Sequence, residues 1–478
     1  MRLLILLSCL YLTACAINPV TGNRELSLLS ESQEIQMGAS NHDKILQQYG
    51  VYKDDKLQTY VSQLGQQLAQ KSHRSELNFT FTVLDSPVVN AFALPGGYVY
   101  ITRGIMAYLN SEAELAGVLG HEIGHVTAKH GVQQYSQSQV AGVVGAVIST
   151  QFETPWAGDI YNLLGGALLR GYGRADELEA DRLGAEYIAQ VGYDPQEMLD
   201  VIGVLKDQEV FANQGQTAAP ASYHALFATH PRNDQRLQEV ISAAQRFKQP
   251  NPKPEGRDRY LNMIDGMIYG DNPDQGIVRN NRFIHTALNF AFQVPGDWQT
   301  INQDDRVILV NNEQTAIVQM MLQSAQGRTT AAQALPSLMT NSRIVSSQPV
   351  SLPGFDAVAA DVVVATENGQ KQVRTLVAVR GSQIFHFVGY VQDDRQLSQY
   401  VGQFNQVMTS LGPVTNTDRK AAVAYRIDIV KAPASYDILA RQSALGGVEP
   451  RVIDRLQLLN ADYPNGKLTP GRRIKTVK

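Results

Sequence analysis

The sequence predicts an α+β protein of several domains: a mainly helical domain with a short β-sheet, then an α/β sandwich, then a small β-α-α-β module. At 478 residues the chain exceeds one ordinary domain, so two to four domains are expected. Residues 30–248 place apolar residues mainly at three- and four-residue spacing, which is typical of helices. Residues 280–415 instead contain short alternating runs bounded by turn residues, which are typical of strands.

The N-terminal segment 1–14 is predicted to be a signal peptide. It has one early arginine, then an apolar run too short to span a bilayer, then small residues. Its end, Leu12-Thr13-Ala14-Cys15, resembles the lipobox of bacterial lipoproteins, in which the signal is cut before a cysteine that is then acylated. The resemblance implies a lipid on Cys15. Because Ala16 replaces the aspartate that commonly signals inner-membrane retention, it also implies the periplasmic face of the outer membrane.

The composition narrows the classes of partner. Lys and Arg number 41 against 45 Asp and Glu, and no basic block is present that would follow a phosphate backbone, which argues against nucleic acid. The only other cysteine, Cys9, lies in the predicted signal, so the mature chain is expected to have no disulfide.

The first domain is predicted over residues 15–247. Its helical pattern is interrupted once, where residues 77–106 alternate apolar and polar residues around a Pro95-Gly96-Gly97 turn, which indicates two or three strands. Residues 248–279 are predicted to be a linker, because 247–260 contain three prolines and many charges.

The α/β sandwich is predicted over residues 280–415, with turns at Asn368-Gly369 and Arg380-Gly381-Ser382 and helices at about 328–341 and 394–411. Its opening, residues 287–298, resembles the small sandwich domains of the photosystem-P-like and related envelope lipoprotein group. Residues 420–478 resemble a LysM-type glycan-binding module in their β-α-α-β order. The Gly-Asp-Thr common near the start of such modules is replaced by Pro433-Ala434-Ser435.

Residues 118–131, "VLGHEIGHVTAKHG", carry three of the nine histidines. His121 and His125 are four apart, so on a helix both imidazoles project from one face and can hold one metal ion. Glu122 can take the proton of a water whose pKa that metal lowers. The helix is expected to start with a Ser111–Glu114 capping box and to stop at Gly131. His130 lies off the ligand face, and we expect an end-of-helix cation or a surface group there.

A catalytic zinc needs a third protein ligand, and residues 171–195 offer candidates on a predicted helix. Glu177 and Asp181 share one stripe of it with Arg174. The residue pattern alone leaves Glu179 and Asp176 almost as plausible as ligands.

The HExxH pattern followed by Glu177-Leu178-Glu179-Ala180-Asp181 resembles the M48 family of zinc metallopeptidases. The resemblance extends over about residues 17–245 and implies a zincin-type metalloprotease domain with one Zn²⁺ per chain. It implies that Glu177 is the third ligand and that Asp181 orients one imidazole. The segment 227–236, "FATHPRNDQR", matches the THPxxxxR element of the family. By that match His230 and Arg236 lie near the zinc, where they stabilise the oxyanion, and His230 is a candidate fourth ligand at rest.

The resemblance implies a lipid-anchored periplasmic zinc endopeptidase that cleaves misfolded, stalled or misassembled envelope proteins. Peptidoglycan is a further candidate partner, through the C-terminal module. The alternative is an anchored chaperone-like or wall-binding protein with a latent or structural zinc site, because the sequence does not distinguish an open site from a closed one.

Overall fold

The structure is a computed structural model that describes residues 15–145, 172–214, 234–303, 306–340, 342–366 and 369–478. The predicted signal segment 1–14 lies outside these residues. The chain divides into two compact units: the first combines residues up to Tyr269 with Tyr425–Lys478, and the second is Gly270–Ala424. The architecture is mixed α+β, as the sequence predicts.

The α-helices within the described residues are α1 (Glu31–Tyr49), α2 (Asp55–Ala69), α3 (Arg103–Tyr108), α4 (Glu112–Thr127), α5 (His130–Gly145), α6 (Arg174–Gln190), α7 (Glu197–Gln214), α8 (Asp234–Arg246), α9 (Arg257–Ile264), α10 (Ala331–Leu338), α11 (Leu397–Thr409), α12 (Asn416–Ala421), α13 (Tyr436–Gln442) and α14 (Val452–Leu459). The strands are β1 (Cys15–Ile17), β2 (Arg24–Leu26), β3 (Thr80–Leu84), β4 (Ala91–Leu94), β5 (Tyr98–Thr102), β6 (Ile268–Tyr269), β7 (Ile277–Arg279), β8 (Arg282–His285), β9 (Phe290–Gln293), β10 (Trp298–Asn302), β11 (Arg306–Asn311), β12 (Ala316–Ser324), β13 (Ser342–Leu352), β14 (Phe355–Thr366), β15 (Gly369–Arg380), β16 (Gln383–Val391), β17 (Tyr425–Lys431) and β18 (Arg473–Val477).

The predicted β insert of the first unit is a three-stranded sheet in the order β3-β5-β4. β3 and β5 run parallel, and β4 returns antiparallel to β5. Gly96 and Gly97 make the turn between β4 and β5 with φ angles of 84° and 95°, a region that residues with a Cβ rarely occupy.

Helix α4 is the centre of the first unit, and all 16 of its residues are buried. Such a helix needs partners on every side. Its contact with α6 requires glycine at the points of closest approach, because a Cβ on Gly124 would lie 3.0 Å from the carbonyl oxygen of Ala180. A Cβ on Gly184 would likewise lie 3.0 Å from the amide nitrogen of His121. The two helices therefore approach closely, which brings the first half of α6 against the histidines of α4.

The ends of α4 differ from the prediction. Ser111 caps the helix by accepting a hydrogen bond from the Glu114 amide at 2.9 Å, but the Glu114 carboxylate accepts from the Asn110 amide, so the capping box is not reciprocal. The helix ends at Thr127, not at Gly131. Lys129 adopts a left-handed conformation with φ 58°, and α5 begins at the next residue. Gly131 is thus an early residue of a new helix.

The segment 248–279, predicted as a linker, contains α9, β6 and β7. Tyr260, Leu261 and Ile264 of α9 are fully buried, and the Tyr260 hydroxyl donates to the Met106 carbonyl at 2.6 Å. The proline-rich stretch therefore leads into a helix that packs within the first unit.

Residues 425–478 have the predicted order of strand, helix, helix and strand. β17 pairs antiparallel with both β18 and β6. Lys475 of β18 is fully buried and donates to the carbonyls of Ala107 and Leu109 at 2.9 and 2.6 Å. The C-terminal segment is therefore part of the same compact unit as α4.

The second unit contains a seven-stranded antiparallel sheet in the order β10-β11-β12-β16-β15-β14-β13 and a small sheet β7-β8-β9. Its core includes Phe292, Phe387 and Phe404, the last from α11. α10 covers a second apolar cluster around Val362 and Val377. Among the helices that the structure describes, none has the length and apolar content needed to cross a bilayer.

Candidate metal centre

Two imidazoles meet on one face of α4. The Nε2 atoms of His121 and His125 are 3.0 Å apart, as expected for residues separated by one helical turn. The rings are nearly perpendicular, at 81°. The two residues are 8% and 1% exposed.

The carboxylate of Glu177, in the first turn of α6, faces both imidazoles. One oxygen is 3.4 Å from Nε2 of His125 and the other is 3.6 Å from Nε2 of His121. Of the three acidic residues that the sequence leaves open, this one lies at the histidine pair. Asp176 instead accepts from the Gly173 amide at the start of α6, and Glu179 contacts His130.

The arrangement fits a metal ion. One donor atom from each of His121, His125 and Glu177 lies within 4.8 Å of the other two. Glu177 is fully buried, and a buried carboxylate needs positive charge close by, which a divalent cation between the three groups would supply. Two imidazoles and one carboxylate are a donor set of catalytic zinc sites, which leave one position open.

The electrostatics favour the metal-binding form of His125. Burial lowers the pKa of its imidazole well below 6.5, which keeps the ring neutral, and neutral imidazole is the ligand that zinc accepts. Tyr172 stacks on the same ring, with centroids 3.8 Å apart and planes 15° apart. Burial, and next the charge of Glu122, raise the pKa of the Tyr172 phenol above its usual value, so it stays protonated.

A carboxylate lies beside the outer nitrogen of His121. Asp181, one turn after Glu177 on α6, places Oδ1 2.9 Å from Nδ1 of His121. A carboxylate there accepts the Nδ1 proton and leaves Nε2 as the ligand atom. The structure therefore brings Asp181 to the position that the family resemblance implies.

Two groups that lie behind His125 carry no signal in the sequence. Nδ1 of His130 is 2.9 Å from Nδ1 of His125, and Nε2 of His130 is 3.3 Å from a carboxylate oxygen of Glu179. His130 is only 1% exposed, so the expectation of an end-of-helix cation or surface group is wrong. The turn at Lys129 redirects the chain and carries His130 back to the site. That turn has no marker in the local sequence, because lysine seldom adopts a positive φ.

Three predicted residues cannot be placed at the site. His230 lies outside the described residues. Arg236 is in α8, and its side chain is not described. Cys15 is in β1, and its side chain is likewise not described.

Two histidines at i and i+4 on one helix face, with a glutamate directly after the first, are the HExxH pattern of zinc metallopeptidases. Residues 55–244 match the model of Peptidase family M48. The beta-barrel assembly-enhancing protease of Yersinia pestis is 30% identical over 250 residues, which cover 50% of this chain and 49% of the relative. The mitochondrial metalloendopeptidase OMA1 of Arabidopsis thaliana is 30% identical over 172 residues, 36% of this chain and 33% of the relative.

The chain thus spans about half the length of the first of these relatives. Among solved structures, the solution structure of cyanobacterial PsbP from Synechocystis sp. PCC 6803 is 13% identical and covers 30% of this chain and 98% of that chain. Its TM-score is 0.25, too low to support an argument from structural similarity.

Proposed function

We propose that the chain is a zinc-dependent metalloendopeptidase. The observation that carries the proposal is the convergence of His121, His125 and Glu177 on one point, with Glu122 between the two histidines on the same helix. The family match of residues 55–244 supports it.

His121, His125 and Glu177 would hold the zinc, which would supply Lewis-acid chemistry at a carbonyl and a water of lowered pKa. Glu122 acts as the general base that takes a proton from the attacking water and then gives it to the leaving amine. Asp181 holds the proton on Nδ1 of His121 throughout, so the inward nitrogen stays available for the metal. His230 and Arg236 are proposed to stabilise the oxyanion, on the strength of the family resemblance.

Strand β4 offers a place for the substrate backbone. Within the described residues β4 pairs with β5 only, on one of its two edges. Ala93 and Leu94 of β4 line a small cavity together with His125, so the strand runs beside the metal ligands. An extended peptide that adds to β4 as a further strand would place a peptide bond near the metal, with selection depending on backbone shape.

The cellular setting is proposed from the predicted signal, Cys15 and the relatives. A lipid on Cys15 would hold the enzyme at the periplasmic face of the outer membrane. The name of the Yersinia pestis relative, beta-barrel assembly-enhancing protease, supports misfolded or misassembled envelope proteins as substrates. Binding of peptidoglycan by residues 420–478 is a further proposal, which retention of the full chain on purified cell wall would test.

The direct test compares the purified chain with its Glu122→Gln variant, by metal analysis and by cleavage of an unfolded model protein. We expect one zinc per chain in both proteins and cleavage only by the native protein. Glutamine keeps the size of the side chain but cannot take the proton. Absence of zinc from the native chain would refute the proposal.

The burial of the site favours a second candidate, a latent protease. His125 and Glu177 are 1% and 0% exposed, and Tyr172 covers the imidazole of His125, so access for a peptide requires a rearrangement. If His230 occupies the fourth zinc position at rest, His230→Ala should increase proteolysis. Loss of zinc and of the fold in that variant would instead indicate a structural metal site.

A further inference from the structure

We infer that His130 and Glu179 form a hydrogen-bonded chain that positions the imidazole of His125 for the metal. The inference deepens the proposed function, on which it rests, and it concerns two residues to which the family resemblance gives no role. The chain runs from the carboxylate of Glu179 through both nitrogens of His130 to Nδ1 of His125.

The proton positions follow from the direction of each ring. Nε2 of His125 points at His121 and Glu177, so it is the nitrogen that donates its lone pair to a metal. A neutral imidazole that ligates through Nε2 carries its proton on Nδ1. The neighbour at 2.9 Å, Nδ1 of His130, must then accept that proton.

The same reasoning fixes the tautomer of His130. A ring that accepts at Nδ1 carries its proton on Nε2, and that nitrogen lies 3.3 Å from Oε2 of Glu179. The carboxylate is the natural acceptor. Arg182 adds a second contact to Glu179, at 3.5 Å.

The two metal-binding imidazoles are therefore supported in different ways. Asp181 lies 2.9 Å from Nδ1 of His121, whereas His125 donates to a second imidazole that in turn donates to a half-buried carboxylate. Partners behind a ligand fix the ring orientation and increase its basicity, and their loss typically weakens metal binding by about 10- to 100-fold. His130 and Glu179 are positioning residues, because neither points at the place where the metal would sit.

The test measures zinc affinity of the full chain by competition with a chromophoric chelator, which does not depend on proteolysis. His130→Leu removes the acceptor, whereas His130→Asn keeps an oxygen that can accept from Nδ1 of His125. Glu179→Gln removes the charge at the end of the chain. Glu186→Gln is the matched control, since Glu186 lies on the same helix, contacts Arg182 at 4.0 Å and accepts a hydrogen bond from Gln190 at 3.1 Å.

We expect His130→Leu to bind zinc at least about tenfold more weakly, with a smaller loss in His130→Asn and Glu179→Gln and none in Glu186→Gln. Cobalt-substituted protein should show altered visible absorption bands in His130→Leu, because the ligand ring is free to turn. Unchanged affinity in a folded His130→Leu chain, or equal losses in the Leu and Asn variants, would overturn the inference. If the native chain binds no zinc, the proposed function is refuted together with the inference. If the native chain binds zinc and only the variants differ from expectation, the inference alone is refuted.

Discussion

At the scale of single residues, Asp181 contacts the imidazole of His121, a predicted zinc ligand, and is placed to orient that ring. We predict that Asp181→Ala lowers the zinc affinity of the chain by about 10- to 100-fold, because the imidazole loses both its orienting acceptor and a nearby negative charge. Asp181→Asn should lose less, since its amide oxygen can still accept the Nδ1 proton. Chelator competition on both variants provides the measurement. Native affinity in Asp181→Ala would show that packing alone holds the ring.

A second residue-scale prediction concerns His386 in the second unit. It is 3% exposed and lies 3.1 Å from the Thr375 hydroxyl, which itself donates to the Phe387 carbonyl, so Nε2 of His386 must be the donor. Burial lowers the pKa of His386 to about 4. The unfolded chain binds this proton near pH 6.5, so the free energy of unfolding should fall between pH 6.5 and 4, by at most about 3 kcal/mol from this group.

Exchange of the imidazole C2 proton, followed by mass spectrometry over a pH series, reports the pKa of each histidine. We expect the midpoint for His386 near 4. A midpoint near 6.5 would contradict the buried neutral state, and the pH-dependent loss of stability would then need another group.

Much of the candidate site follows from the sequence at this scale. The i, i+4 spacing of His121 and His125 is enough to place both imidazoles on one face, and the structure does so. The choice of Glu177 over Glu179 needed the family resemblance, because both lie in the first turns of one helix and their spacing alone does not say which reaches α4. The buried position of His130 could not be predicted, because it depends on the backbone conformation of Lys129.

At the scale of elements, the contact between α4 and α6 sets the distance from the histidines to Glu177 and Asp181. We predict that Gly124→Ala destabilises the first unit by about 1–3 kcal/mol and weakens zinc binding. The added methyl would meet the Ala180 carbonyl oxygen at 3.0 Å and push the helices apart. Urea unfolding and zinc titration of the variant give the two readouts.

Gly203→Ala on α7 is the matched control. It lies inside a helix, and a Cβ there would meet nothing within 4 Å. Alanine should therefore leave stability unchanged or raise it by up to about 1 kcal/mol, through helix propensity. Equal effects at the two glycines would show that propensity, and not the approach of α4 and α6, decides the result.

Many of the helices and strands can be predicted from local sequence patterns. The alternation around Pro95-Gly96-Gly97 predicts the strands found there, and the last 55 residues have the predicted order. The end of α4 does not follow from the sequence. Gly131 is a plausible stop signal, but the left-handed residue that ends the helical path is Lys129, two residues earlier. Caps and breaks depend on a few backbone angles, which tertiary packing can override.

At the scale of the whole molecule, the grouping of segments could not be predicted from the sequence. A proline-rich stretch is a reasonable boundary signal, yet residues 257–264 form a helix with a buried face inside the first unit. Residues 425–478 rejoin that unit across about 150 residues of intervening chain, through the pairing of β17 with β6 and the contacts of Lys475. Periodicity reports which face of an element is apolar, but it does not report the distant segment that covers that face.

Lys475 joins the C-terminal segment to the region from which α4 starts. Its ammonium donates to the carbonyls of Ala107 and Leu109, at the end of α3, a few residues before α4 begins. Burial lowers the pKa of Lys475, and the nearby charge of Glu114 partly offsets that effect. Burial also raises the pKa of Glu114 to about 7. The two groups therefore stabilise each other's charged form in a place where either alone would be costly.

We predict that Lys475→Met speeds hydrogen exchange in residues 103–127 and lowers the free energy of unfolding by about 1–3 kcal/mol, because two buried carbonyls lose their donor. Methionine keeps the apolar stem, so lost packing contributes little. Lys478→Met is the matched control: its ammonium pairs with Asp428 and is 57% exposed, so its loss should cost little. Exchange measured by mass spectrometry on the full chains separates the outcomes. Faster exchange confined to residues 425–478 would mean that the C-terminal segment does not stabilise the rest of the first unit. Faster exchange that also includes α4 would show that the segment stabilises the helix that carries His121 and His125.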